Sequence, residues 1–157
     1  MATMTMPKVT QGHRELERLV GTWRGEERLY PSLFAPQGGA AVGRVRNRVV
    51  LDGFALVQEY EQERDDTVNF RGHGVFRWDP GERAYTLHWF DSMGMSPSEF
   101  RGTLEGDVLT LTSAGPQGMV RAVWDLPRGE RYTYRMQVSP DGVNWFPLME
   151  GTYDRED

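Results

Sequence analysis

Short runs of alternating apolar and polar residues recur along most of this chain, and the turns between them are too short to hold a helix. The turns are marked by glycine, proline and aspartate: DG at 52-53, DPGE at 79-82, EGD at 105-107, PRGE at 127-130 and SPDGVN at 139-144. Connections of this length join antiparallel neighbours, because a parallel pair needs a crossover of roughly a dozen residues. The pattern therefore predicts a series of β-hairpins.

The alternation predicts ten strands and one helix. The strands are expected at 22-30, 43-51, 54-62, 68-78, 85-92, 98-104, 108-113, 119-126, 131-138 and 145-154. The helix is expected at 11-20, where Leu16, Leu19 and Val20 have helical spacing and Gly21 is a stop signal. Consecutive strands leave two free edges unless the sheet closes on itself. We therefore predict an all-β fold, a closed antiparallel up-and-down barrel of about ten strands, with the short N-terminal helix covering one end.

The chain is expected to divide into a leader and one domain. Residues 1-9 are predicted to be a disordered leader, and 10-157 are predicted to form a single β-barrel domain. The longest connection, at 31-43, is expected to carry a short helix or a lid, and its glycine-rich end, GGAAVG, is expected to be a flexible lid or linker. It lacks the Lys-Ser/Thr pair of a phosphate-binding loop.

Composition argues against several classes of function. The net charge of -5 and the pI of about 5.3 disfavour a nucleic-acid partner. No run of about 18 apolar residues occurs, so no membrane association is predicted. The chain has no cysteine, which excludes disulfides and thiolate metal sites. No apolar signal segment follows the first Met. The lack of cysteine and the lack of such a segment both favour the cytoplasm.

Trp23 stands where the helical pattern changes to the alternating one, in LVGTWRGEERLYP. A helix that ends at Gly21 can cover one mouth of the barrel, and Trp23 would then plug that mouth from the first strand. If the last strand closes on the first, Arg155 comes to lie beside Trp23 and can stack on the indole face. We predict Trp23 and Arg155 to be this structural plug. His13, on the helix, is expected at the surface.

The inward face of the strands carries aromatic side chains with a few polar ones among them. A barrel of about ten strands is usually too wide to be filled completely by side chains. Apolar walls with a few polar groups are typical of small-molecule pockets. We therefore predict a ligand cavity that is lined by Asn47, Gln58, Tyr60, Trp89, Asp91, Trp124, Tyr132, Tyr134 and Met149. The same alternation places Val49 inside.

Asp91 is the candidate catalytic residue, because it shares a face with Leu87 and Trp89. The register places it near Gly72 and, through Gly72, near Gln58. A carboxyl group in an aromatic interior could orient a polar ligand or act as a base. The other interpretation is that the strand ends before Asp91, which then begins a turn.

His73 and His88 are the weak candidates for a metal site. The register makes them diagonal neighbours on one face, within reach of a shared ion. A histidine pair without a third ligand is a weak metal signal, and two partly exposed histidines on the outer face are the alternative. No metal is therefore predicted.

The series LVGTWRGE, VVLDGFALVQEY, FRGHGVFRWDP, YTLHWFDSMG and DGVNWFPLMEGTY spans most of residues 19 to 153. In this series the chain resembles an uncharacterised bacterial family, domain of unknown function 1579, with lipocalin-like structure. Its Gly-x-Trp with a late Arg also resembles the calycin superfamily of lipocalins and fatty-acid-binding proteins. The resemblance implies the barrel and brings no assigned activity.

The opening LVGTWRGEERLYP is more distantly similar to nitrobindin-like haem barrels, which have ten strands. Those proteins hold the haem iron through a His near the C-terminus. The last strand here, WFPLMEGTYDRED, has no His. No haem and no other cofactor is therefore predicted, unless His73 or His88 faces inward.

We predict a soluble intracellular binding protein that holds a small apolar or aromatic ligand inside a β-barrel. One alternative is a small barrel enzyme that uses Asp91 or a His as acid or base. Another is a filled barrel that acts as a dimeric interaction module through its outer face, so a homodimer is left open.

Overall fold

Each strand of the computed structural model pairs antiparallel with the strand before it, and the last strand pairs with the first. The strands are β1 Gly21–Leu29, β2 Gly39–Val50, β3 Ala55–Arg64, β4 Thr67–Asp79, β5 Ala84–Asp91, β6 Ser98–Glu105, β7 Val108–Gly115, β8 Gly118–Asp125, β9 Arg131–Ser139 and β10 Phe146–Arg155. The structure describes residues 4–115 and 118–157. The closed ten-stranded antiparallel barrel that the turns and the alternation predict is confirmed.

The N-terminal helix, α1, covers Gln11–Glu15 and continues as a 3-10 turn at Leu16–Leu19. Residues 4–9 form neither helix nor strand, and residues 1–3 of the predicted leader lie outside the described residues. No helix in the described ranges is both long and apolar enough to cross a lipid bilayer.

The helix covers the end of the barrel where Trp23 enters β1. The Trp23 side chain has no exposed surface, and its Nε1 donates a hydrogen bond to the carbonyl of Leu19 over 3.0 Å. The Arg155 guanidinium stacks on the indole at 4.2 Å and donates to the carbonyl of Val20. Trp23 and Arg155 thus occupy the places that the plug prediction assigns to them.

His13 is buried, with 6% of its surface exposed, so its predicted surface position is wrong. Its Nδ1 accepts a hydrogen bond from the backbone N–H of Thr10 over 2.9 Å, and its ring meets the ring of Phe54 edge-on. Burial, followed by the nearby charge of Arg14, lowers the pKa of His13. The surface prediction rested on residue type, which does not show that this face of the helix packs on the turn after β2.

Strand β2 begins earlier than the sequence indicates. Gly39 pairs with Leu29 of β1, so most of the glycine-rich segment is strand and not lid. The connection that remains, 30–38, holds turns without a helix. Val49 is 38% exposed and not inside, because β1 pairs with β2 only as far as Asn47 and β2 extends beyond it there.

Candidate functional site: a cavity at the open end of the barrel

The end of the barrel opposite the helix is hollow. A cavity of about 570 Å³ lies between the ends of β1, β3 and β5 and the beginnings of β4 and β10. Connection 30–38 contributes Leu33, Phe34 and Ala35 to its rim. Two apolar residues after β5, Met93 and Met95, complete the rim and are exposed.

Most of the predicted ligand residues line this cavity. These are Gln58, Tyr60, Trp89, Asp91, Trp124, Tyr132, Tyr134 and Met149. Asn47 does not line it. Asn47 is 2% exposed at the helix-covered end, where its Nδ2 donates to the carbonyl of Leu19 over 2.8 Å. Its inward direction is as expected, but its amide is bonded to the helix end, and its cross-strand partner Gln58 lines the cavity in its place.

Aromatic rings form the cavity wall in two contacting groups. Trp124 and Tyr134 have ring centres 4.9 Å apart, and Tyr60 lies 6.4 Å from Trp89. Two glycines of β4 leave room for the Trp89 ring: a Cβ on Gly72 would overlap it, and Gly74 is its cross-strand partner. The alternation of small and large residues therefore makes space for Trp89 against β4.

A buried carboxyl group, Glu27, lies beneath one side of the cavity. Glu27 is 4% exposed and projects inward from β1, two alternations after Trp23. Tyr60 Oη donates to it at 2.8 Å, Gln62 Nε2 donates at 3.1 Å, and Tyr153 Oη donates from β10. We call Glu27, Tyr60, Gln62 and Tyr153 the floor cluster.

The sequence analysis missed Glu27 because a charged residue in a charged stretch, RGEER, is usually exposed. One signal was present: residues 23, 25, 27 and 29 share a face in strict alternation. Gly25 and Gly43 surround Glu27 on β1 and β2, and a Cβ on Gly43 would overlap its carboxylate. Small neighbours around an inward acid are the pattern that could have identified it.

The electrostatics of the floor cluster favour protonated hydroxyls around the acid. Burial raises the pKa of Glu27, while the hydrogen bonds from Tyr153, Tyr60 and Gln62 act in the opposite direction. Burial first, and then the Glu27 charge, raises the pKa of Tyr60 and Tyr153 well above their ordinary range. Both phenols therefore stay protonated at neutral pH and act as hydrogen-bond donors to Glu27.

Asp91 is the last residue of β5 and lies at the cavity rim. Its Oδ2 accepts from the Trp89 Nε1 over 2.9 Å, and its Oδ1 accepts from the Met93 N–H over 3.0 Å. Both predicted interpretations are thus met in part, because the carboxylate lines the cavity and also begins the turn. Across Gly72, its neighbour on β3 is Tyr60, and the predicted neighbour Gln58 is wrong.

His73 and His88 lie on the outer face of the barrel. His73 Nδ1 is 2.6 Å from the carboxylate of Glu59, and His88 Nε2 is 3.9 Å from Glu99. Within the described parts of the chain, no group of three potential metal-ligating residues is present. Neither histidine faces the interior.

Comparisons with known proteins agree with this architecture. The model of the family described as "Protein of unknown function (DUF1579)" matches residues 8–155. No curated protein matches the chain.

Two solved structures share the fold. Rv2717c from M. tuberculosis is 17% identical with a TM-score of 0.73, and the alignment covers 96% of this chain and 100% of that one. The S-type phycobiliprotein lyase CPES from Guillardia theta is 12% identical with a TM-score of 0.63, and 92% of each chain is covered. At such identities the likeness is one of fold.

Proposed function

Because the chain belongs to the DUF1579 family, whose function is unknown, we propose from its own cavity that it is a binding protein for one small, largely apolar or aromatic molecule. The observation that carries this proposal is the hollow open end. Its volume of about 570 Å³ falls within the range of roughly 300–1,000 Å³ that small-molecule sites occupy.

The chemistry of the wall supports the proposal. Trp89, Trp124 and Tyr134 offer broad apolar faces, and Gln58 with the floor cluster offers a few polar groups on one side. Such a wall holds an aromatic ligand by burial and orients it by hydrogen bonds. One structural neighbour is named a phycobiliprotein lyase, which supports a ligand-holding barrel by analogy of fold alone.

The cavity disfavours the alternative of a filled barrel that works only through its outer face. For the enzyme alternative, both oxygens of Asp91 accept hydrogen bonds from Trp89 and the turn, which favours a positioning role over an acid–base one. A carboxylate engaged in this way positions the Trp89 ring.

We propose the cytoplasm as the compartment of the protein, since a chain without cysteine needs no oxidising environment. We propose neither haem nor a nucleic-acid partner.

The proposal is tested by native mass spectrometry of freshly purified protein, together with titration of the neutral probe N-phenyl-1-naphthylamine. We expect a bound extra mass or saturable probe binding with one site. Ala122→Phe adds a ring to the cavity wall and should abolish probe binding. Ala114→Phe makes the same change at an exposed position of β7 and should leave it intact. A bare protein that binds no probe contradicts the proposal.

A further inference from the structure

Glu27 is a buried acid without a cationic partner. Within residues 4–115 and 118–157, no arginine, lysine or histidine forms a salt bridge with it, although arginine pairs with acids at many places on the outer surface. Buried carboxylates are normally paired with a cation or a metal, because an unpaired charge is costly in an apolar interior. The floor cluster supplies hydrogen bonds and no positive charge.

The floor cluster presents acceptors to whatever occupies the cavity. Tyr60, Gln62, Tyr153 and Met149 line the cavity and Glu27 does not, so an occupant meets the layer above the carboxylate. Each phenol uses its one hydrogen on Glu27. The Tyr153 oxygen receives no hydrogen bond from the described residues, whereas the Tyr60 oxygen already accepts from Gln62 Nε2 over 3.1 Å and keeps one lone pair. Donation to a carboxylate makes such an oxygen a stronger acceptor, because hydrogen bonds in a chain polarise one another.

The rest of the wall also favours positive over negative charge. Among the described residues that line the cavity, Arg64 is the single cationic side chain, and its Nη2 donates to the carbonyl of Gly38 at the rim. The faces of Trp89 and Trp124 attract cations through their ring quadrupoles. A carboxylate ligand would find no cation at the floor and would be repelled by Glu27.

We propose that the occupant is an aromatic molecule with a protonated nitrogen, which donates to the hydroxyl oxygens of Tyr60 and Tyr153 above Glu27. This inference rests on the proposed binding function and names the class of its ligand. The nitrogen supplies the positive partner that the protein itself does not provide for Glu27.

Three naphthalene probes of similar size test the inference: 1-naphthylmethylamine, which is protonated at neutral pH, neutral 1-naphthalenemethanol and anionic 1-naphthoate. Their affinities are measured by calorimetry at one pH. We expect the amine to bind on the order of tenfold more tightly than the alcohol, since hydrogen bonds of ionised groups are about twice as strong as neutral ones. We expect the carboxylate to bind most weakly.

Glu27→Gln should abolish the preference for the amine while the alcohol keeps its affinity. Glu26→Gln is the matched control, because the neighbouring Glu26 lies on the outer face and is exposed. Tyr60→Phe removes one acceptor and keeps the acid, so it tests the same contact if Glu27→Gln does not fold. It should reduce amine affinity more than alcohol affinity.

Equal affinity for amine and alcohol in the wild type overturns the inference and leaves the binding function standing. A preference that survives in both Glu27→Gln and Tyr60→Phe overturns it as well, because the selectivity then arises elsewhere. If none of the three probes binds, the proposed function fails and the inference falls with it.

Discussion

The guanidinium carbon of Arg155 lies 4.2 Å from the centre of the Trp23 indole ring, and the two residues are direct partners between β10 and β1. The edge of the Trp23 ring also meets Tyr132 of β9, with ring centres 4.8 Å apart. Trp23 therefore joins the helix, the first strand and the last two strands at one point.

Trp23→Ala should destabilise the protein by about 3–5 kcal/mol, because it leaves a cavity where the barrel closes. Chemical denaturation measures the loss. Trp145→Ala, at a partly exposed position where Arg121 stacks on the ring, should cost clearly less. Equal losses for both variants would contradict the plug.

Asp91 should stabilise the fold through the Trp89 indole. We expect a coupling energy of about 1 kcal/mol between Asp91→Ala and Trp89→Phe, because both single changes break the same hydrogen bond. Denaturation of the two single variants and the double variant gives this energy. Additive losses would show that the bond contributes nothing measurable.

Gly72→Ala should weaken probe binding in the cavity by roughly tenfold, because the added Cβ displaces the Trp89 ring from its place in the wall. Titration of N-phenyl-1-naphthylamine measures the change. Gly129→Ala is the control, since a Cβ at that position meets nothing within 4 Å. Unchanged affinity in Gly72→Ala would mean that Trp89 does not contact the probe.

Glu27 should make stability decrease as pH rises. Burial raises its pKa in the folded protein above the ordinary value of 4.5, so the folded state binds its proton more readily than the unfolded state. Its contribution is then most favourable below pH 4.5 and is lost as pH rises from there through the raised pKa. The difference in unfolding free energy between wild type and Glu27→Gln should follow this window. A flat difference would contradict it.

His13 should make the stability of the protein decrease as pH falls. Its lowered pKa means that its contribution is complete above the ordinary value of 6.5 and is lost as pH falls from 6.5 towards the folded pKa. His13→Gln removes the titration and keeps an acceptor three residues after Thr10, as in a capping box. Unfolding free energies of both proteins between pH 5 and 8 check the prediction. An identical pH profile would contradict it.

Alternation and turn chemistry were sufficient to predict the barrel, since a two-residue period and short turns leave few topologies for ten strands. They also placed Asp91 beside Gly72, because register in a hairpin follows from turn length. This relationship is local, so a single sequence contains it.

The floor cluster could not be predicted in the same way. Glu27 and Tyr153 meet only because β10 closes on β1, and the exact closing register is a property of the whole barrel. The depth of a residue along the barrel is equally invisible to a two-residue period. For this reason the alternation could not show that Asn47 lies outside the cavity while its cross-strand partner Gln58 lines it.

The floor cluster forms only when the barrel is closed. Tyr153 belongs to the last strand and Glu27 to the first, so the surface that an occupant would touch exists only while the seam between them is shut. A ligand that contacts the floor cluster would stabilise the pairing of β1 with β10. At about one hundred times its dissociation constant, any such ligand adds about 2.7 kcal/mol to the free energy of unfolding. A loaded barrel should therefore resist proteolysis at β1 and β10 more than an empty one.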